Sequence, residues 1–287
     1  MDAHPAQRPL AQHGRLRRSL CARSARCSKS RSSRKKWTAT RGGSDYTASI
    51  VGNAVNASEI QIWTDIDGMH NNDPRVVDKT MPIAKLSFDE AAELAYFGAK
   101  ILHPQSIRPA AQLSIPVKLL NTMDPAAKGT TISEETDYSG GMIKAIAAKD
   151  GITAIKIKSA RMLLAYGFLR SVFEVFERFK TPIDMITTSE VAVSLTIDDT
   201  KHLKDITTEL EAFGIVEIDE DQAIVCVVGA MVSETEGAAV KLFESLKEVP
   251  VRMISYGGSK HNISVLIDAK YKQKALQSLN DGLFTFE

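Results

Sequence analysis

The chain is poor in the features that mark secreted, membrane-spanning or metal-binding proteins. Its 287 residues contain three cysteines, Cys21, Cys27 and Cys226, at spacings that suit neither a metal site nor a disulfide framework, which favours a reducing, cytoplasmic setting. No apolar run approaches the ~20 residues that a bilayer-spanning helix needs, so no membrane partner is expected. Aromatic residues make up only 6% of the chain, but apolar residues reach 44%, enough for a sizeable core divided among two or three domains. Acidic side chains are nearly missing from the first forty positions, where eleven Lys and Arg face Asp2 alone. The remainder inverts that balance, with 25 basic against 34 acidic residues. The net charge of +1 therefore conceals a basic arm on an acidic body.

The arm, Met1 to about Thr40, is rich in Arg and Ser and has no apolar periodicity. Three readings fit it: translation from a different frame or start, an organellar transit peptide, or a nucleic-acid-binding tail. The first is favoured, so residues 1–40 are expected to be a disordered, non-native segment and no nucleic-acid partner is expected.

Past the arm, the chain is denser in chemistry. Arg41-Gly42-Gly43-Ser44-Asp45 gathers a guanidinium, two residues without Cβ, a hydroxyl and a carboxylate in five positions. Glycines let backbone N–H groups approach an anion, and such a turn opening a helix adds free N–H groups and the helix dipole. An ordinary glycine turn capped by Ser44 is an equal reading of the pentapeptide alone. Tyr46–Ala57 has helical spacing, with Ile50, Val51, Ala54 and Val55 on one apolar face. Glu59–Asp65 alternates as a short strand, and Thr64 and Asp65 stand at its carboxyl end, where open α/β sheets bind ligands. Asp67-Gly68 and Asn71-Asn72-Asp73-Pro74 carry turn chemistry, with Arg75 placed beyond them to reach a phosphate. Ser87–Leu102 reads as a helix with Ser87 as N-cap and Glu90 completing a capping box. By itself, Lys100 is a solvated cation near that helix's end, and His103-Pro104 a helix stop. Ile115–Leu120 has a buried-strand pattern, Asn121–Glu135 reads as loop, and Asp137–Gly141 as linker.

In order and spacing, RGGSD, WTDIDG, NNDPR and FGAKILHP resemble the motifs of aspartate kinases of the monofunctional, regulated kind, a likeness running from about Arg41 to the C-terminus. The resemblance implies transfer of the γ-phosphoryl group of ATP, carried as its magnesium complex, to the side-chain carboxylate of L-aspartate. It implies no bound prosthetic group and no resident metal site. It assigns Arg41, Gly42, Gly43 and Ser44 to L-aspartate, and Asp45 to the catalytic phosphoryl-transfer centre. Thr64, Asp65, His70, Arg75 and Lys100 fall to ATP. His70 stands where relatives often carry tyrosine; an imidazole there can stack or hydrogen-bond without a catalytic role. The family opens with a strand and a Lys-Phe-Gly-Gly-type phosphate loop that are not seen ahead of Arg41. The expectation is therefore a partial amino-acid-kinase domain over residues 41–136, with little or no activity of its own.

The C-terminal half repeats itself. Pro182-Ile183-Asp184-Met185-Ile186 recurs 68 residues later as Pro250-Val251-Arg252-Met253-Ile254. Each copy follows an amphipathic helix, Phe168–Phe179 with Leu169, Val172, Phe173 and Phe176 inward, and Ala238–Lys247 with Leu242, Phe243 and Leu246 inward. Each precedes an alternating strand and a second helix, and opening strands are expected at Ala154–Ile157 and Ala223–Val228. The βαββα units resemble tandem ACT domains, over residues 145–220 and 221–287 with boundaries that can interleave. The fold class is thus α/β: the C-terminal part of a parallel-sheet kinase domain followed by two ferredoxin-like units. In the first unit, Gly167 opens a helix whose N–H groups near Phe168 and Leu169 suit an α-carboxylate. Asp184 suits an α-ammonium, and Ser189 and Glu190 a second ammonium. Resemblance to lysine-inhibited relatives adds Met162, and names L-lysine as effector and a homodimer or larger assembly through the ACT units. The alternative function is a catalytically silent, lysine-binding regulatory chain working with a complete kinase.

Overall fold

The computed structural model describes residues 19–22, 43–98, 103–135, 141–159, 162 and 166–284. In the N-terminal part, strand β1 (Ser19–Ala22) leads through helix α1 (Gly43–Ala54) to β2 (Glu59–Thr64). Strand β3 (Lys85–Ser87), helices α2 (Phe88–Tyr96) and α3 (Pro104–Ala111), and strands β4 (Val117–Asn121) and β5 (Thr130–Ser133) complete it. The sheet order is β1-β2-β4-β5-β3, parallel except for the β4–β5 pair. Two expectations change here. The basic arm is not without structure throughout, because Ser19–Ala22 pairs in parallel register with Glu59–Ile62. Asn121–Glu135 is not all loop, because Thr130 and Ile132 are buried in β5, where pairing to both β3 and β4 outweighs the weak local signal.

Helix α1 is also turned the other way round from a simple apolar-face reading. Ala48, Ser49 and Gly52 face inward, while Tyr46, Ile50, Val51 and Val55 stand exposed. The reason is proximity: a Cβ at Gly52 would press on the Ile60 side chain, so only small residues fit between α1 and β2. The capping box of α2 forms as read. Ser87 N–H donates to Glu90 Oε2 at 2.7 Å, and Glu90 N–H to Ser87 Oγ at 3.2 Å. The helix stops at Tyr96, before Gly98 at φ +121°, where a Cβ would collide with the Ala148 carbonyl. His103 does not end a helix; it caps the next, accepting from Gln105 N–H at 3.3 Å.

The second sheet holds both repeats. Strand β6 (Ile143–Lys158), α4 (Phe168–Arg178), β7 (Ile186–Thr188), β8 (Ala192–Ile197), α5 (Leu203–Leu210) and β9 (Ile215–Gly229) are followed by α6 (Ala238–Ser245), β10 (Val251–Tyr256), β11 (Asn262–Asp268) and α7 (Lys272–Leu283). The order is β10-β11-β9-β6-β8-β7, with every neighbouring pair antiparallel. The two long strands are shared. Ile152–Lys158 of β6 pairs with Ile215–Gln222 of β9 in the first unit, and Ile143–Lys149 with Ile224–Gly229 in the second. Each unit thus acquires a fourth strand that the βαββα reading did not give it, and the second unit reaches back to Ile143.

Alternation along β9 divides the packing. Ala223, Val225 and Val227 join the core under α6 and α7, whereas Ile224, Cys226 and Val228 join a core continuous with β2, β4, β5 and α2. Val172, Val175 and Phe176 of α4 pack over the first unit, while Phe173, read as inward, is exposed.

Candidate functional site

Helix α1 follows β1 and precedes the parallel strand β2, so its start lies toward the carboxyl end of β2, the end at which open α/β sheets bind ligands. Gly43, Ser44 and Asp45 form the first turn of α1, so their backbone N–H groups are free of helical partners. Ser44 Oγ donates to Asp45 Oδ1 at 3.1 Å, and Thr47 Oγ1 to Gly43 O at 2.6 Å. Burial pushes the Asp45 carboxyl above the ordinary carboxylate range, with the Ser44 hydroxyl acting weakly in the opposite sense. Thr64, the last residue of β2, donates to Asp65 Oδ1 at 3.0 Å, and its carbonyl accepts from Thr122 N–H at 2.7 Å. The ends of β2 and β4 therefore lie together. Arg41, Gly42 and Lys100 lie outside the described residues.

The loop after β2 is a narrow excursion whose base is tied by Ile83 N–H to Met69 O at 2.7 Å and Asn71 N–H to Met81 O at 2.9 Å. His70 is held on both ring nitrogens, by Asp67 Oδ1 at 2.8 Å and Thr80 Oγ1 at 3.0 Å. The His70 hydrogen bond keeps the Asp67 carboxyl below its usual range. Arg75, predicted to reach a phosphate, points to solvent with 75% of its side chain exposed. It forks onto Asp73, with Nε–Oδ1 at 2.9 Å and a second contact to Oδ2 at 2.8 Å. That fork lowers the Asp73 carboxyl below its usual range. A phosphate would have to compete with Asp73 for this guanidinium.

The first βαββα unit departs further from expectation. Asp184 does not stand free at a strand end; its side chain is 1% exposed. Asp184 Oδ1 accepts from Lys149 Nζ at 2.8 Å and from the Tyr96 hydroxyl of α2 at 2.8 Å. Lys149 Nζ also meets Asp198 Oδ2 at 2.8 Å and lies 4.9 Å from the Tyr96 ring centroid. Burial pulls the Lys149 ammonium down, but Asp184 and Asp198 outweigh it and the net shift is upward. Asp184 Oδ2 is buried with no hydrogen-bond partner among the described residues. Sequence reasoning missed Tyr96 and Lys149, because their partner lies 88 and 35 residues away. Gly167, at φ +82°, caps α4 as predicted. Met162, Phe168 and Leu169 pack at the margin of the first unit's core, and the Phe168 ring sits edge-on to Phe213. Ser189 and Glu190 are exposed in the turn between β7 and β8, not in the strand itself. The second unit meets α2 through neutral and charged contacts. Asn262 Nδ2 donates to Glu93 Oε2 at 2.5 Å, and His261 Nε2 lies 3.8 Å from Asp89.

Residues 29–121 match the amino acid kinase family and residues 225–283 the ACT domain. Aspartokinase 1 of Arabidopsis thaliana, a chloroplastic protein, is 40% identical over 86% of this chain. The crystal structure of E. coli aspartokinase III in complex with aspartate and ADP superposes with a TM-score of 0.77 at 38% identity, over 85% of this chain and 56% of that one. The chain belongs to the aspartokinase family. The same E. coli enzyme in complex with lysine and aspartate gives a TM-score of 0.74 at 39% identity. The aspartokinase likeness covers both halves, and the chain spans about half the length of the curated relatives it matches, 45% of the Arabidopsis protein. The kinase-family match starts twelve residues before Arg41, inside the segment read as foreign to the family. Among the described residues no helix is long and apolar enough to cross a membrane, and no cluster of three or more His, Cys, Asp or Glu could hold a metal ion.

Proposed function

We propose that this aspartokinase-family chain takes part in transfer of the γ-phosphoryl group of ATP to the side-chain carboxylate of L-aspartate, with feedback from L-lysine at the first regulatory unit. The observation that carries the kinase reading is the Gly43-Ser44-Asp45 turn opening α1 at the carboxyl end of β2. A carboxylate oxygen of aspartate attacks the γ-phosphorus, the bond to the bridging oxygen breaks, and ADP leaves. Such a reaction needs positioning and charge stabilisation more than covalent help, and magnesium arrives as part of the ATP complex. The α1 N-terminus supplies N–H donors to one anion, with Arg41 and Ser44 holding aspartate and Asp45 ordering the centre. Thr64, Asp65, His70, Arg75 and Lys100 serve the nucleotide.

The lysine reading is supported by Asp184 Oδ2, a buried carboxylate oxygen without a partner among the described residues, to which an incoming ammonium can bind once the site opens. Glu190 is exposed nearby in sequence and suits the second ammonium. The lysine complex of E. coli aspartokinase III belongs to a relative of the same family. A hydroxamate assay of the purified chain with ATP, magnesium and aspartate, run with and without lysine, tests both halves. Turnover that lysine suppresses supports the reading. Lysine binding by calorimetry without turnover favours the silent regulatory alternative. Absence of both, or equal affinity for threonine, overturns the assignment.

A further inference from the structure

Beyond the residues just assigned, the last helix of the second unit grips the loop that bears His70 and Arg75. Asn280 of α7 is fully buried, as are Asn71 and Asn72 at the loop. Asn280 Nδ2 donates to Lys79 O at 3.0 Å, and its Oδ1 accepts from Asn71 Nδ2 and Asn72 Nδ2, each at 3.4 Å. Asn72 Nδ2 also reaches Leu276 O at 3.2 Å. Asn71 Oδ1 accepts Met81 N–H at 2.7 Å, and its carbonyl accepts Ile146 N–H of β6 at 2.7 Å. Val77, at the far side of the excursion, is buried in the core under α6 and α7. The loop is thus held on one side by the Asn280 amide of α7 and on the other by its own Val77, seated in the core under α6 and α7.

We propose that Asn280 is a positioning residue for the nucleotide, acting through Asn71, Asn72 and Lys79 O to fix where the loop presents His70 and Arg75. The inference rests on the reading that this loop meets ATP. An amide suits the place because it must donate and accept at once. Leucine fills a similar volume but removes the donor to the Lys79 carbonyl and the acceptor shared by the buried Asn71 and Asn72 amides, leaving the Asn72 amide only Leu276 O, so the loop is expected to part from α7.

The test is calorimetric titration of the whole chain with ADP, well below the thermal transition, together with hydrogen exchange over residues 70–82. Asn280→Leu should weaken ADP at least tenfold and raise exchange in the loop, leaving exchange in β2 and α2 unchanged. Val77→Ala loosens the same loop from its apolar side and should weaken ADP in the same direction, which covers the case in which the leucine variant does not fold. A purely structural role would lower the transition temperature without altering ADP affinity, and that result overturns the inference while leaving the nucleotide reading intact. If the unsubstituted chain binds no ADP, the nucleotide reading falls and this inference with it.

Discussion

Positions 184 and 252 are equivalent in the two repeats, yet they do opposite things. Asp184 is buried, shares Lys149 with Asp198, and takes a hydrogen bond from Tyr96 of the kinase side. Arg252 is exposed and pairs with Asp219 on the shared strand β9. Their C-terminal neighbours, Met185 and Met253, are both buried in the core that joins the regulatory sheet to the kinase side. The backbone therefore delivers both repeats to the same inter-domain surface, and one side chain decides the kind of contact. The first unit meets the kinase side through charges that another ammonium can rearrange. The second grips the loop after β2 through neutral amides, Asn280, Asn71 and Asn72, and its contacts with acidic groups of α2, Asn262 to Glu93 and His261 to Asp89, involve no buried Lys–Asp pair.

Breaking that comparison starts with Lys149→Met. It strands Asp184 in an apolar setting and should cost about 3 kcal/mol, since removing one partner of a buried pair leaves an uncompensated charge. A urea midpoint unchanged by this substitution would mean that the first unit's charges are no more integral than the second's. Tyr96→Phe is the next largest, about 1–2 kcal/mol from one hydrogen bond to a charged group, read in the same way. Alkali sharpens the point. Burial first, and then Asp184, push the Tyr96 hydroxyl above its ordinary range, and Lys149 is also shifted up on balance. Both groups hold their protons more tightly when folded. Their contribution is full below the unfolded values near pH ~10 and is lost as pH rises through the folded ones. Stability of the unsubstituted chain should fall above about pH 10, and the Tyr96→Phe, Lys149→Met double variant should lose less over that interval. The smallest effect is expected at Arg252→Ala, below about 1 kcal/mol, because the pair with Asp219 is exposed. A larger loss there would erase the contrast.

Much of this was legible where the signal is local. Ser87 and Glu90 announce a helix start by spacing alone, and the Pro-Ile-Asp-Met-Ile recurrence announces two units. The parts that were not legible depend on distant pairing. Asn71 and Asn280 meet across 209 residues of chain. Helix α1 shows that an apolar face is not always the inner one: with Ile60 so near, Gly52 has to face inward and Ile50 outward. Asp184 looked like a free strand-end carboxylate because nothing in its neighbourhood of the sequence names Tyr96 or Lys149. Thr130–Ser133 looked like loop because its partners on either side, not its composition, make it a strand. Of the candidate site, the helix-opening turn at Gly43–Asp45 and the strand end at Thr64 were legible from local pattern, whereas the engagement of Arg75 by Asp73 was not.

Strands β6 and β9 each serve both βαββα units, changing allegiance near Lys149–Ile152 and Gln222. The first unit is one continuous stretch, Ile152–Gln222, inserted into the second, whose Ile143–Lys149 lies ahead of it and whose remainder follows it. Any gene fragment meant to carry the second unit must include the codons for Ile143–Lys149, and so carries the first unit with it. Rearrangement during descent faces the same arithmetic: the second unit travels as one piece of gene only with the first inside it, whereas the first is a single continuous insert.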